Sequence, residues 1–234
     1  MVQLLASTVR RQDPGNRKLP VMGFHGFPAE AFGFYARLTA DNSKAFWAAH
    51  KNDYEVFVRG PVVALAAELE AEFGPAVVFR PSRDTRFSAD KSPYKTYQGA
   101  FAERFPGTGF YLQVSARGLT ASGGFHSHAP SQIDRYRAAV SSAQPGAALQ
   151  AIVTGLQHEG LSVGGDRLKT RPRGVPADHP RVELLRHRSL TAGQEWPPGP
   201  SLRTRHALTL VRQTWAQLLP LCDWLSEHVG PPQS

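Results

Sequence analysis

The sequence contains little cysteine and no long hydrophobic run. The single cysteine among 234 residues is Cys222, which excludes an intrachain disulfide and a cysteine-rich zinc site. Because it lies in the apolar stretch 218–225, we expect a small buried thiol. No segment approaches the ~18 apolar residues of a membrane span, and residues 1–18 lack the apolar core of a secretory signal. We therefore expect a cytoplasmic protein without membrane contact.

Familiar catalytic motifs are also missing. The chain has no Walker phosphate loop, no Gly-x-Ser-x-Gly and no His-Glu-x-x-His. His126 and His128 would share one face of an extended segment, but no acidic third ligand lies nearby and Pro130 is typical of a loop, so we predict no metal site. No cofactor is predicted either. The motifs therefore leave open whether the chain is an enzyme.

The positive charge of the chain is concentrated in three segments. The net charge is +8, while residues 1–18, 80–95 and 166–188 carry +3, +3 and +4. The summed charge of these segments, +10, exceeds the net charge of the chain, so the remaining residues carry a net charge of −2. A regional excess builds a local positive potential that favours an anionic partner, with nucleic acid as one candidate. Alternatively, these cations are solvated or paired with carboxylates elsewhere.

The densest charge pattern lies in residues 80–95, with five cations, two aspartates and two aromatic residues, Phe87 and Tyr94. Arginine binds phosphate or carboxylate bidentately, and lysine adds a point charge. The candidate ligand-binding residues are Arg83, Arg86, Lys91, Tyr94, Lys95 and, on a neighbouring strand, Gln113. Five cations against two carboxylates favour an anion pocket.

The alternative for this segment is a structural ion-pair network. In it Asp84 and Asp90 would bridge Arg83, Arg86 and Lys95 and hold the helices on the sheet. Tyr111 and Gln113 are expected to point to opposite faces, so that at most one lines the pocket. Arg135 and Arg137 could approach from the next helix.

Candidates for acid–base catalysis are few. Asp84 and Asp90 could each act as a general base, but neighbouring arginines would lower the pKa and weaken the base. His179, which precedes Pro180, is equally suited to organising a loop.

The pattern along the chain predicts an α+β fold. Apolar residues recur at helical spacing in residues 28–73, where Gly60-Pro61 is expected to interrupt the run, in 130–156, and in 201–229, where Pro220 would introduce a kink. Between them, strands are predicted near 77–79, 97–105, 110–115 and 119–125, which form an antiparallel meander. Later strands or extended pieces are predicted at 161–163, 167–170 and 189–195. Helices at both ends of a meander indicate α+β rather than βαβ winding.

A single domain is predicted for residues 27–229. Residues 1–26 form a flexible basic extension in this interpretation, because they show little periodicity, and residues 230–234 form a short tail.

Several separated motifs resemble the family called domain of unknown function 2461, found in bacteria and fungi. The longest runs from Arg83-Asp84-x-Arg86 through Lys91-Ser92-Pro93-Tyr94-Lys95-Thr96. The other matching pieces are Asn42-x4-Trp47 with Asn52 and Tyr54, the strand 109–115, Arg173-Gly174-x4-His179-Pro180, and Leu184-Leu185. The resemblance covers about residues 27–229 and implies a compact α+β domain, but no particular reaction.

Two hypotheses for function follow. The first is a cytoplasmic protein that recognises an anionic, phosphate-bearing ligand at an Arg/Lys-rich cleft, with or without catalysis on it. The second is a non-enzymatic module that contacts nucleic acid or an acidic protein surface through all three basic segments, with the 80–95 charges serving structure.

Overall fold

The computed structural model describes residues 23–86, 89–126 and 129–231. One six-stranded sheet lies at its centre, with every neighbouring pair antiparallel and the order β1-β2-β3-β4-β6-β5. The strands are β1 (Ala76–Val78), β2 (Tyr97–Phe105), β3 (Thr108–Ser115), β4 (Gly118–Phe125), β5 (Ser162–Gly164) and β6 (Leu190–Trp196). The predicted meander is therefore confirmed as β2-β3-β4, and so is the α+β class.

Helices precede and follow the meander. They are α1 (Ala29–Ala40), α2 (Lys44–Asp53), a π-helical segment (Tyr54–Arg59), α3 (Gly60–Phe73), α4 (Pro130–Ser141), α5 (Ala143–His158), α6 (Val182–Leu185), a 3-10 turn (Pro200–Arg203), α7 (His206–Gln217) and α8 (Leu219–His228). Among the described helices, none is long and apolar enough to cross a membrane.

The hydrophobic core lies on one face of this sheet. Alternate residues of β3, among them Phe110 and Leu112, are fully buried, as the two-residue period of a strand requires. Phe110 stacks on Trp215 of α7 with ring centres 5.4 Å apart, and Phe73 of α3 packs edge-on against the same phenylalanine. The N-terminal and C-terminal helices thus meet over the central strands.

The opposite face is only partly covered, and we call it the open face. Because Val77, Phe101 and Tyr111 are aligned across β1, β2 and β3, their side chains share this face. Val77 is 66% exposed. Around Tyr111 lie half-buried aromatic residues and several glycines of the central strands. An antiparallel sheet with one face on the core and one toward solvent is a common arrangement.

The predicted break at Gly60-Pro61 is wrong. The chain stays helical from α2 through the π-helical segment into α3. The backbone N–H of Gly60 bonds to the carbonyl of Glu55, five residues earlier, which is the π-helical pattern. Pro61, which has no N–H to donate, directly follows this π-helical turn and lies in the first turn of α3.

Two other predictions need correction. Of the strand or extended piece predicted at residues 167–170, the structure shows no strand and only an isolated bridge between Arg167 and His187. The predicted kink at Pro220 is a complete break at Leu218 between α7 and α8. Pro220 lies in the first turn of the second helix instead of bending one.

The packed structure begins before the predicted boundary at residue 27. Phe24 is buried, and its backbone N–H donates to the Glu68 carboxylate at 2.6 Å. Arg205 donates to the Phe24 carbonyl and also pairs with Glu68. Residues 1–22 and 232–234, which include most of the predicted extension and tail, lie outside the described part of the chain.

Candidate functional site

A short two-stranded ribbon positions the candidate residues of the 80–95 segment. The Arg83 N–H donates to the Pro93 carbonyl at 2.8 Å, and the Lys95 N–H donates to the Pro81 carbonyl at 2.9 Å. Ser82 and Tyr94 form the bridge between these bonds. The ribbon therefore brings Arg83 and Lys95 together, although they are twelve positions apart in sequence.

Tyr94 points from this ribbon toward the helices. Its backbone N–H donates to Asn42 Oδ1 at 3.1 Å, and its carbonyl accepts from Asn42 Nδ2 at 2.9 Å. Its ring stacks on the Trp47 indole, with centres 4.2 Å apart and planes 11° from parallel. One amide side chain thus takes the place of a neighbouring strand, and the Tyr94 ring is committed to packing.

Lys95, the next residue, points to the open face. Its ammonium lies 5.3 Å from the centre of the Phe79 ring and donates to the Arg80 carbonyl at 3.2 Å. Burial lowers the pKa of Lys95, and the charges of Arg80 and Arg83 lower it further. Within the described residues, no carboxylate lies within ion-pair distance of Lys95.

Of the two arginines near Lys95, Arg80 and Arg83, the second is the more buried. Its side chain is 16% exposed, and its Nη1 pairs with Asp90 Oδ2 at 3.0 Å. Its Nε is buried and has no hydrogen-bond partner among the described residues. Since buried donors are nearly always paired, the unpaired Nε makes Arg83 a candidate contact for an anion. We call Arg80, Arg83 and Lys95 the cation cluster.

Aromatic residues of the open face adjoin the cation cluster. Burial raises the pKa of Tyr97, and the nearby Arg83 charge opposes that rise. Tyr111 donates its hydroxyl to Gln113 Oε1 at 2.7 Å. The expectation that Tyr111 and Gln113 point to opposite faces is therefore wrong, because residues two apart in a strand share a face. Gln113 itself lies opposite Gly99 of β2.

The remaining predicted cations, Arg86 and Lys91, lie in the exposed loop beyond the ribbon. Arg86 is 77% exposed and pairs bidentately with Asp84, at 3.1 Å from Nε and 2.7 Å from Nη2. This arginine lowers the pKa of Asp84 to about 2. Lys91 Nζ donates to the Thr85 carbonyl at 2.9 Å. Phe87, which lies between them in sequence, is outside the described residues.

The predicted catalytic candidates are engaged in local contacts. A hydrogen bond from Ser92 is the main cause that lowers the pKa of Asp90, so both aspartates are poor bases at neutral pH. His179 Nδ1 accepts the Arg181 backbone N–H at 3.1 Å and so organises the turn before α6. Among the described residues, no hydrogen bond or ion pair joins His179 to either aspartate.

Histidine and acidic residues do not assemble into a metal centre in the part of the chain that the structure describes. His126 packs edge-on against Phe101 at 5.4 Å, and its Nε2 is sealed from solvent without a partner there. Burial lowers the pKa of His126 to about 4. His128, the second member of the predicted pair, lies outside the described residues.

In the part of the chain that the structure describes, the ion pairs of Asp84 and Asp90 do not connect helices to the sheet. Asp84 pairs with Arg86 and Asp90 with Arg83, so both pairs are internal to residues 83–90. The contacts to the helices are the neutral ones of Tyr94. Arg135 and Arg137 do not reach the cluster: they donate to carbonyls of residues 229, 231 and 185.

Sequence reasoning missed Phe79, Arg80 and Tyr97. Tyr97 lies two residues after Lys95, so the two-residue period of a strand was a usable signal for its side. Phe79 and Arg80 follow the short strand β1, and the hydrogen bond from the Phe79 N–H to the Gly99 carbonyl brings them beside Lys95. That pairing joins residues twenty apart and has no local sequence signal.

A groove elsewhere is less suited to a charged ligand. It is lined by Ala147, Gln150, Ala151, Thr154, Pro180 and Arg181. Its one cation, Arg181, donates to the carbonyls of Val140, Ser141 and Ser142. Arg181 therefore caps the end of α4, and the cation cluster remains the better candidate.

Fold and site together define an α+β protein in which an antiparallel sheet carries helices on one face and a cation cluster beside the other. Residues 30–224 match the family of conserved hypothetical proteins DUF2461. The chain belongs to this family, as the motifs in residues 83–96 indicated. No curated protein and no solved structure matches the chain.

Proposed function

We propose that this protein binds a small anionic ligand, one that bears a phosphate group, at the cation cluster. The observation that carries the proposal is the environment of Lys95. Its ammonium is half-buried beside Arg80 and Arg83, and its only hydrogen bond within the described chain is to a carbonyl. Removing a cation from water beside like charges is costly unless an anion compensates it.

The geometry of Arg83 supports the same ligand. Asp90 neutralises Nη1 from the exposed side, whereas Nε is buried and lacks a partner among the described atoms. A phosphate oxygen is a strong acceptor for such a donor. The proposal concerns binding, since Asp84, Asp90 and His179 show no arrangement that favours catalysis.

Phosphate binding provides the test. Inorganic phosphate should raise the melting temperature of the protein saturably, because a ligand that binds only the native state stabilises it. Lys95→Met should abolish the rise, and Lys169→Met, which removes an exposed lysine from another segment, should retain it. An equal rise in both variants, or no rise in the wild type, would contradict the proposal.

The second candidate, a nucleic-acid module, has one observation in its favour. Lys169, Arg171 and Arg173 are exposed, and among the described residues none of them pairs with a carboxylate. Such a surface predicts affinity that increases with oligonucleotide length and falls steeply with salt. Lys169→Met would then partly weaken oligonucleotide binding. In the phosphate test, by contrast, the same variant is expected to behave as the wild type.

A further inference from the structure

We propose that the ligand is a nucleoside monophosphate whose phosphate lies at the cation cluster and whose base lies against the aromatic residues of the open face. This inference rests on the proposed function and adds the chemical class of the ligand. Three features of the open face carry it: the adjacency of cations and rings, the aromatic surface that Phe79 and Tyr111 form over Gly99, and the orientation of Gln113.

Cations and rings are adjacent in space as well as in sequence. Lys95 Nζ lies above the Phe79 ring at 5.3 Å. Tyr97 follows Lys95 by two residues, and it is close enough to Arg83 for that charge to lower its pKa. An anion held by the cluster would therefore have aromatic surface within reach of its remaining atoms, and every base has a face that stacks on such a surface.

Gly99 lets two aromatic rings of this surface pack directly on the backbone of β2. A Cβ atom there would lie 2.8 Å from the Tyr111 hydroxyl and 3.1 Å from Phe79 Cδ2. The two rings therefore approach each other over the glycine. Tyr111, 9% exposed, forms the floor of this surface, while Phe79 and Tyr97 are only half-buried at its edges.

Gln113 supplies an oriented polar group on the same face. Its Oε1 accepts the Tyr111 hydroxyl, which fixes the amide so that Nε2 is the group left to donate. Within the described residues, Nε2 has no acceptor. A fixed amide donor beside a stacking surface can recognise a ring nitrogen or carbonyl of a base. Ribose 5-phosphate has no base and therefore offers neither acceptor.

Charge argues against the chain's own N-terminal segment as the occupant of this surface. Residues 1–18 carry a net charge of +3, the same sign as the cation cluster. A segment of like charge would add to the electrostatic cost at Lys95, whereas a nucleotide would remove it.

The experiment compares nucleoside monophosphates with ribose 5-phosphate and inorganic phosphate by isothermal titration calorimetry. At least one nucleotide should bind roughly ten-fold or more tightly than ribose 5-phosphate, as stacking on an aromatic residue provides. Tyr97→Leu should remove this advantage and leave ribose 5-phosphate binding unchanged. Tyr97→Phe should retain the advantage, which separates loss of stacking from loss of fold.

Gln113→Leu tests the base contact, with Thr191→Val as its control. Thr191 lies on the same face in β6, two strands from β3. The glutamine variant should weaken the preferred nucleotide and not ribose 5-phosphate, while the control should change neither. Equal affinity for ribose 5-phosphate and all nucleotides would overturn this inference and leave the proposed function standing.

Two further outcomes would also overturn the inference. If neither phosphate nor any nucleotide binds, the proposed function fails with it. If monomers fail and oligonucleotides bind with affinity that rises with length, the surface recognises nucleic acid and not a small ligand.

Discussion

The ring of Tyr94 stacks on the Trp47 indole at 4.2 Å, nearly parallel to it. This contact joins α2 to the ribbon that carries the cation cluster. Tyr94 faces the helices and Lys95 the open face, so the rigidity of one residue fixes the position of the next. The Asn42 amide completes this attachment through two hydrogen bonds to the Tyr94 backbone.

Replacing Asn42 by alanine should destabilise the protein. The substitution leaves a partly buried N–H and carbonyl of Tyr94 without their partners, which costs about 1–3 kcal/mol. Urea unfolding followed by circular dichroism would measure the loss. Asn52→Ala is the matched control, because Asn52 is exposed on α2 and its loss should change stability by less than about 0.5 kcal/mol. Equal effects would show that the Asn42 contacts contribute nothing.

The sequence predicted the fold class because its signals were local. Turn residues at 106–109 and 117–118 separate the strands of the meander, and hairpin pairing follows directly from such turns. The continuation of the helix through Gly60 was not predictable in this way. It depends on a hydrogen bond to Glu55 in a π-helical turn, whereas glycine followed by proline ordinarily indicates a break.

The position of the candidate site was predicted in part for the same reason. The segment 80–95 was recognised by its charge, which is a local property. Which of its residues meet is decided by the register of the ribbon, and this register pairs Ser82 with Tyr94. That pairing directs Lys95 to the open face and places Arg86 and Lys91 in the exposed loop. Composition contains no information about register, so all the cations appeared equivalent in sequence.

His126 should make the protein sensitive to acid. Its pKa is about 4 in the folded protein, against an ordinary value of 6.5. The unfolded chain therefore takes up the proton first, and stability falls as the pH is lowered from about 6.5 to about 4. Urea unfolding at several pH values should show that His126→Leu loses less stability across this range than the wild type.

The control for this prediction is His158→Leu, since His158 is exposed on α5. That variant should retain the wild-type pH dependence. Burial also lowers the pKa of His187, so some acid sensitivity should persist in every variant. An unchanged slope in His126→Leu would mean that its imidazole is hydrated in solution.

The Asp84–Arg86 pair predicts a measurable pKa. The Asp84 carboxyl should titrate near 2, because Arg86 donates to it from both its side chain and its backbone. Arg86→Gln should move this pKa up toward the ordinary value of 3.8. Carbon-detected NMR titration resolves both carboxyls, and Asp90 serves as the internal control because Ser92 is the main cause of its lowered pKa. A shift of Asp90 as large as that of Asp84 would indicate that the loop as a whole had rearranged.

Lys95→Met should stabilise the free protein at neutral pH, although it removes a hydrogen bond. The folded state lowers the pKa of Lys95 below 10.5, so the unfolded chain retains the proton to higher pH. Wild-type stability should therefore rise as the pH increases from the folded pKa toward 10.5, and this rise should be absent from the variant. Below that range the charged amine opposes folding, and methionine relieves the cost while filling similar space.

Urea unfolding of Lys95→Met and Lys169→Met, each with and without phosphate, checks this prediction. Without phosphate the Lys95 variant should have the higher midpoint, and Lys169→Met should lie within about 0.5 kcal/mol of the wild type. With phosphate the wild type should gain stability and the Lys95 variant should not. The difference between their urea midpoints should therefore become smaller or change sign. Residues that serve function commonly lower the stability of the folded protein in this way. A Lys95 variant that is less stable under both conditions would instead identify the lysine as a structural anchor of the ribbon.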